Sequence, residues 1–113
     1  LELLKTDGSY PSGHSAIGWG WALVLSQLAP ERAEQILARG RAYAQSRIIC
    51  NVHWRSDTEA GMSVGSAAFA RLQNNALFQA TMSVARDEIS QKLGGDIDKK
   101  VCDAENAILA SGN

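Results

Sequence analysis

The chain has 113 residues, a length that fits one modest domain with a buried core. Its 11 Lys and Arg residues oppose 12 Asp and Glu residues, for a formal net charge of -1, and no run of like charges stands out. This balance argues against a nucleic-acid-binding stripe and a polybasic membrane patch, so we expect a small molecule as partner. The longest nearly apolar stretch, residues 16–25, has about half of the roughly 20 residues that span a bilayer, so we expect no membrane insertion.

The first half of the chain predicts three helices. The first begins near His14 and runs to about Leu28; it is apolar nearly all round, which favours a central, buried position. The second begins at Pro30, a favoured first helical residue, and continues to about Ile49. The third covers about Asp57 to Leu72, and Ser56 and Glu59 at its start have the spacing of a capping box.

Two further helices are predicted in the second half. One runs from about Ala76 to Leu93 and ends at the Gly94-Gly95 pair, which is a stop signal. A short amphipathic helix follows from about Lys99 to Ala110. Because no sustained period-two alternation is present, the chain reads as an all-α helical bundle. We expect a single domain over residues 1–113, with residues 94–113 as a peripheral tail.

The two cysteines, Cys50 and Cys102, leave two alternatives open. In an oxidising compartment they could form a disulfide that closes a long loop; otherwise they are two buried thiols. A zinc site is less expected, since the four Cys and His residues match no finger or ribbon spacing. We predict no metal and no cofactor.

Two short clusters carry the residue types that bind a phosphate group. In the first, Pro11-Ser12-Gly13-His14, Ser12 offers a hydroxyl group and Gly13 an unobstructed backbone N–H at the start of a helix. In the second, Arg47 offers a planar, permanently charged fork that suits two phosphate oxygens. Phosphoryl transfer needs such fixed donors around the equatorial oxygens, so Ser12, Gly13 and Arg47 are the candidate phosphate-binding residues.

The chemistry is predicted to lie on the only two histidines. His53 is the candidate nucleophile, and Asp57, four residues later, can accept a hydrogen bond from its other ring nitrogen and so fix the tautomer. His14 is the candidate acid and base: it protonates the leaving alkoxide and then deprotonates water. Each residue alone also fits a structural role, such as a cap or a helix-face ion pair. The joint pattern favours an active site.

The clusters Pro11-Ser12-Gly13-His14 and Ser46-Arg47-x5-His53-x3-Asp57 resemble two signature motifs of the bacterial class A non-specific acid phosphatases. These enzymes belong to the superfamily of type 2 phosphatidic acid phosphatases and vanadium haloperoxidases. The resemblance implies a helical bundle of that type and a metal-independent hydrolysis of phosphomonoesters through a phosphohistidine. It also implies a periplasmic or secreted location. Phosphotransfer to alcohols and hydrolysis of nucleotides are further activities that the resemblance suggests.

The chain departs from this family in one respect. Class A enzymes carry an earlier motif, a lysine followed after six residues by Arg-Pro, whose cations bind phosphate, and no Arg-Pro pair occurs here. We therefore expect the C-terminal half of a larger domain, nearly inactive without an N-terminal companion segment. Two alternatives stay open: a vanadium-dependent haloperoxidase, and an inactive fragment that binds phosphate without turnover.

Two aromatic residues are weaker candidates for the site. Trp54 follows the predicted nucleophile, and Tyr10 precedes the first cluster, so both are candidates to line the pocket together with Ser9. Trp19 and Trp21 cannot lie on the same side of a helix, and we expect both to serve packing. A homo-oligomer is a further expectation.

Overall fold

The computed structural model describes residues 8–92 and 99–111, and within these ranges it contains five α-helices, one 3-10 turn and no strand. The all-α prediction is therefore confirmed. The helix bounds are given together here: α1 Gly13–Leu28, α2 Ala33–Ile49, α3 Arg55–Leu72, α4 Ala76–Lys92 and α5 Lys99–Ser111. The 3-10 turn Pro30–Arg32 precedes α2, so Pro30 begins a separate turn rather than the helix itself.

Helix α1 is central, as predicted, because α2 and α3 pack on two of its sides. Against α2 the packing is antiparallel: Gly18 lies under the ring of Tyr43, and about one turn further along α1 Ala22 lies against Gly40. Glycine at both positions allows this close approach, since a Cβ atom there would meet the opposite side chain. The two helices thus form a hairpin joined by the 3-10 turn.

Against α3 the packing of α1 is parallel. Gly61 lies against the Ser12 carbonyl oxygen, and one turn later Gly65 lies against the Ala16 carbonyl oxygen. The indole N–H of Trp19 donates to Ser66 Oγ at 2.9 Å further along the same contact. The start of α1, the start of α3 and the end of α2 therefore lie at one end of the bundle.

One part of the first-helix prediction is wrong. One side of α1 stays open to solvent: Ile17, Trp21 and Leu25 are 58%, 68% and 47% exposed. They are spaced four residues apart and form one stripe, which we call the open face of α1. Within the described ranges, the buried apolar side chains are few and mostly small: Ala22, Leu28, Ala29, Ala44 and Met82.

The capping box predicted at Ser56 and Glu59 is also wrong. Helix α3 begins two residues earlier than predicted, with Trp54 as its N-cap. The carboxylate that reaches back is that of Asp57, whose Oδ2 accepts the Trp54 amide at 3.0 Å. Asp57 does lie in the first turn, as predicted, because a carboxylate at the third helical position reaches the N-cap amide.

Helices α4 and α5 are the last two helices in the described ranges, and each contacts the α1–α2 hairpin. Helix α4 is tied to the far end of α1 by Arg86, whose Nη2 donates to the Gln27 carbonyl at 3.3 Å. Helix α5 is exposed almost throughout and is linked to α2 by an ion pair of 2.6 Å between Arg39 and Glu105. The predicted stop at Gly94-Gly95 lies outside the described residues. No helix in the described ranges has the length and apolar character needed to cross a bilayer.

The two cysteines follow neither sequence alternative. Both Cys50 and Cys102 are free thiols, and both are exposed. Cys50 is the C-cap residue of α2, and Cys102 lies on α5.

Candidate active site

The first predicted cluster forms the N-terminus of α1. Ser12 is the N-cap, with extended backbone, and its Oγ accepts the Ser15 amide at 3.2 Å. The residue is fully buried, so its clearest role in the structure is to start the helix. Gly13 is the first helical residue and is exposed; an amide at this position has no partner within the helix and can donate to an anion. His14 follows in the first turn and is also exposed.

The end of α2 places the second cluster. Asn51 adopts a left-handed backbone with φ 56°, a conformation that asparagine tolerates better than most side chains do. The amide of Asn51 donates to the Ile48 carbonyl at 2.8 Å, and that of Val52 donates to the Arg47 carbonyl at 3.1 Å. This pair of bonds is a Schellman motif. The His53 amide also donates to the Arg47 carbonyl, at 3.2 Å, so the turn fixes His53 beside Arg47.

His53 and Asp57 form the central pair of the site. Nδ1 of His53 lies 3.4 Å from Oδ2 of Asp57, close enough for an ion pair but longer than a typical N–H···O hydrogen bond. The two side chains are 14% and 4% exposed. Nδ1 of His53 and Nε of Arg47 are buried polar atoms without a hydrogen-bond partner among the described residues. Buried polar atoms of this kind call for an explanation, and a bound anion would supply one for Arg47.

Asp57 joins the two clusters. Its carbonyl oxygen accepts the Ser12 amide at 2.9 Å, which ties the start of α3 to the start of α1. Its pKa lies below the ordinary value, chiefly because the Ser9 hydroxyl donates to the carboxylate; the Trp54 amide, His53 and Ser56 act in the same direction, while burial opposes them. The carboxylate is therefore held in its charged form, as an acceptor for an imidazolium or an Nδ1–H group.

The helix register brings His14 and Arg47 to the same level. In the antiparallel pair of α1 and α2, Gly18 faces Tyr43, so His14, one turn earlier, lies level with Arg47, one turn later. Ser12 and Asp57 are bonded directly. The fold thus gathers all six predicted catalytic and phosphate-binding residues at one end of the bundle.

The two aromatic candidates lie at the rim of this end. Tyr10 and Trp54 are 66% and 76% exposed. Trp54 is bonded through its amide to the Asp57 carboxylate, and Tyr10 lies between Ser9 and Ser12, which both bond to Asp57 as well. Tyr10 therefore adjoins a residue that bonds to Asp57, Trp54 bonds to Asp57 itself, and both aromatic side chains are exposed.

The sequence interpretation did not recognise the role of Ser9. It treated Ser9 only as a candidate pocket wall, whereas its Oγ donates to Asp57 Oδ2 at 2.5 Å across 48 residues of sequence. No local sequence pattern predicts this bond, because it depends on the parallel packing of α1 and α3. In the described part of the chain, no group of three or more His, Cys, Asp and Glu side chains is arranged to hold a metal ion.

Comparison with known proteins decides the family. The model of the PAP2 superfamily matches residues 2–78, which include both clusters and helices α1 to α3. The chain belongs to the PAP2 superfamily. This confirms the resemblance inferred from the two motifs, and it makes the helical bundle a PAP2-type fragment.

Several curated relatives agree with this assignment. The chain is 51% identical over 89 residues to a non-specific acid phosphatase of Salmonella typhi, and 50% identical over 90 residues to one of Providencia stuartii. It is 46% identical over 90 residues to an acid phosphatase of Zymomonas mobilis. These matches cover 79% to 80% of this chain but only 34% to 36% of each relative. This PAP2 chain thus spans about a third of the length of the relatives.

Proposed function

We propose that the chain carries the catalytic half of a metal-independent acid phosphatase that hydrolyses phosphomonoesters through a phosphohistidine. The observation that carries the proposal is the His53–Asp57 pair, 3.4 Å apart, at the same end of the bundle as Ser12, Gly13, His14 and Arg47. The names of the relatives, acid phosphatase and non-specific acid phosphatase, support it.

The first step forms the covalent intermediate. Nε2 of His53, carrying a lone pair, attacks phosphorus while the bond to the leaving oxygen breaks and its electron pair stays on that oxygen. His14 gives its proton to this alkoxide, which leaves as the alcohol. The phosphoryl imidazole is cationic, and the Asp57 carboxylate next to Nδ1 stabilises it.

The second step restores the enzyme. His14, now neutral, takes a proton from a water molecule whose oxygen attacks phosphorus, and the P–N bond breaks with its electrons returning to Nε2. Inorganic phosphate leaves. An alcohol in the place of water would yield a new phosphomonoester, which accounts for the proposed phosphotransfer, and a nucleotide is one of the substrates that the site would accept.

Phosphate binding uses the donors around this pair. The Arg47 guanidinium has a buried Nε without a partner among the described residues and would donate to two phosphate oxygens as a fork. The Gly13 amide at the N-terminus of α1 would bind a third. The Ser12 hydroxyl oxygen accepts the Ser15 amide, so its proton is left to donate to phosphate. Tyr10 and Trp54 would contact the leaving group at the rim.

A companion segment completes the proposed enzyme. The lysine and Arg-Pro motif of class A enzymes is missing from the sequence, and the loss of two cations would cost on the order of 10⁴ in rate. The open face of α1, formed by Ile17, Trp21 and Leu25, is the surface on which we place that segment, since the matched part of the chain covers only 36% of the Salmonella typhi relative. We also propose a periplasmic or secreted location; the homo-oligomer stays a prediction.

Trapping of a phosphoenzyme tests the function. The chain, supplemented with a segment of a relative that carries the lysine and Arg-Pro motif, is mixed briefly with p-nitrophenyl phosphate and quenched in alkali, and acid-labile phosphate is mapped. We expect it on His53 and expect none in His53→Ala. His14→Ala is the matched control: it keeps the nucleophile, so the label forms from this good leaving group and persists.

Other outcomes would support the alternatives. Phosphate binding without a trapped intermediate in the supplemented chain would favour the inactive fragment and contradict hydrolysis. Peroxide-dependent bromination that requires vanadate would favour the haloperoxidase. For the phosphatase we expect vanadate to inhibit as a mimic of the five-coordinate transition state.

A further inference from the structure

Two hydrogen bonds and the ring of His53 converge on one oxygen of Asp57. Oδ2 receives the Ser9 hydroxyl at 2.5 Å and the Trp54 amide at 3.0 Å, and Nδ1 of His53 lies 3.4 Å from the same atom. The other oxygen, Oδ1, receives only the Ser56 hydroxyl among the described residues, at 3.3 Å. The carboxylate is therefore ordered mainly through the oxygen that faces the candidate nucleophile.

The Trp54 bond alone cannot fix the direction of Oδ2. That bond belongs to the start of α3, and a carboxylate held by one amide can still rotate about χ2, which is a soft torsion. Ser9 approaches from a different part of the chain, ahead of α1, so its bond restrains this rotation. The Ser9 segment is in turn held by the Ser12 amide, which donates to the Asp57 carbonyl at 2.9 Å.

We propose that Ser9 is a positioning residue for His53: its hydroxyl holds Oδ2 of Asp57 so that the proton stays on Nδ1 and the lone pair stays on Nε2. This inference rests on the proposed function, because only a lone pair on Nε2 lets His53 attack phosphorus. If Oδ2 rotates away, Nδ1 loses the negative charge beside it, the Nδ1–H tautomer is no longer favoured, and the proton is free to move to Nε2, which removes the nucleophile.

The titratable group in contact with the Asp57 carboxylate, among the described residues, is His53 on the segment just before α3. From the segment before α1, the Ser9 hydroxyl donates to the carboxylate, whereas the Ser12 amide donates to the backbone carbonyl of Asp57. From α2, the Arg47 carbonyl accepts the His53 amide and does not touch the carboxylate. Among the described residues, Ser9 is thus the side chain from outside α3 that donates a hydrogen bond to the carboxylate. The lowered pKa of Asp57, which has the Ser9 bond as its main cause, agrees with this position.

The ¹⁵N chemical shifts of the His53 ring test the proposal in the 113-residue chain without any need for activity. In the wild type at neutral pH, we expect the pattern of the Nδ1–H tautomer. In Ser9→Ala we expect a mixture in which the Nε2–H form increases. Ser9→Thr retains the hydroxyl and, since residue 9 is exposed, leaves room for the methyl group; it should restore the wild-type pattern.

Ser56→Ala is the matched control, because it removes a hydroxyl from the other oxygen of the same carboxylate. We expect it to leave the tautomer unchanged. If Ser9→Ala lost its helical circular-dichroism signal, Ser9→Cys would replace it, since a thiol is a weak donor of similar size. An unchanged tautomer in a folded Ser9→Ala or Ser9→Cys variant, or an equal change in Ser56→Ala, would overturn the proposal.

Kinetics with the companion segment supply the second readout. We expect Ser9→Ala to lower kcat about 10-fold with KM unchanged, in line with the cost of removing a group that orients a functional histidine. A rise in KM alone would assign Ser9 to substrate binding and overturn the positioning role. Absence of activity in the wild type would reject the proposed function, while the tautomer measurement would still decide the role of Ser9.

Discussion

Asp57 is the residue at which three parts of the chain meet. Its carboxylate contacts Ser9, Trp54 and His53, and its carbonyl binds the Ser12 amide. One residue thus caps α3 and faces the candidate nucleophile with its side chain, and ties the start of α1 to the start of α3 with its backbone carbonyl. A carboxylate with three roles leaves little freedom for substitution, because asparagine would keep the shape but lose the charge.

The pH dependence of folding should report on this carboxylate. The pKa of Asp57 is lower in the folded chain than its ordinary value of 3.8, so the charged form stabilises the fold above that value. This contribution is lost as the pH falls through the lower, folded-state pKa. We expect the free energy of unfolding of Asp57→Asn to lie below that of the wild type at neutral pH, with a gap that narrows in acid.

Urea unfolding at a series of pH values from neutral to below 3.8 measures this gap. Glu88→Gln, on α4 and outside the site, controls for the loss of one carboxylate. A gap between wild type and Asp57→Asn that stayed constant down to the lowest pH would show that the charge of Asp57 contributes nothing to stability.

At the scale of elements, glycines set how closely α3 approaches α1. A Cβ atom on Gly61 would meet the Ser12 carbonyl oxygen, and one on Gly65 would meet the Ala16 carbonyl oxygen at 2.5 Å. Backbone atoms cannot move aside as flexible side chains do. The same contact brings Ser12 and Asp57 within hydrogen-bond distance, so the packing that stabilises the fold also assembles the site.

Alanine substitutions at two glycines test this contact. Gly61→Ala should lower the free energy of unfolding by about 1–3 kcal/mol, because the added methyl group forces the helices apart. Gly20→Ala is the matched control: nothing lies within 4 Å of a Cβ there, so alanine should stabilise the helix by about 0.5–1 kcal/mol. Denaturant unfolding compares the two, and equal stabilities would contradict the close approach.

The turn between α2 and α3 acts as a second positioning element. The Schellman motif around Asn51 bonds the amides of Val52 and His53 to one carbonyl, that of Arg47. The five residues between Arg47 and His53 form the last turn of α2 and its Schellman motif. This explains the spacing of the second cluster, because a helix end of this length returns His53 to Arg47.

At the scale of the whole molecule, the central helix is only partly covered. The open face of α1 borders a groove of about 840 Å³ between α1, α2 and α5, and His14 and Tyr43 line this groove. An exposed apolar stripe on the central helix is costly in water, and such patches mark interaction surfaces. The groove reaches the end of the bundle that holds the candidate active site, so the proposed companion segment, placed there, would bring its cations to the proposed phosphate site.

Fluorescence quenching tests whether the companion segment covers this face. In a variant that keeps only Trp21, with Trp19 and Trp54 replaced by Phe, acrylamide should quench the chain alone strongly, since Trp21 is 68% exposed. Addition of a relative's segment with the lysine and Arg-Pro motif should protect it. A variant that keeps only Trp54 is the comparison and should stay accessible; equal quenching of Trp21 with and without the segment would place the segment elsewhere.

The sequence by itself determined the all-α class, the helix positions and the family. Helix periodicity and stop signals depend on neighbouring residues, and the two clusters carry their residue types at fixed spacings, so both can be read from the chain alone. The errors lie where local signals compete: Ser56 and Asp57 both suit the start of α3, and only the backbone direction after His53 selects Trp54 as cap and Asp57 as its acceptor.

Only the tertiary structure decided which residues meet. The Ser9–Asp57 bond joins positions 48 residues apart, and the level of His14 with Arg47 follows from the antiparallel register of α1 and α2. The exposure of Trp21 is equally a property of the assembled bundle, since an apolar helix looks the same in sequence whether two or more sides are covered. Local pattern specifies elements, whereas contacts between distant residues depend on how those elements pack.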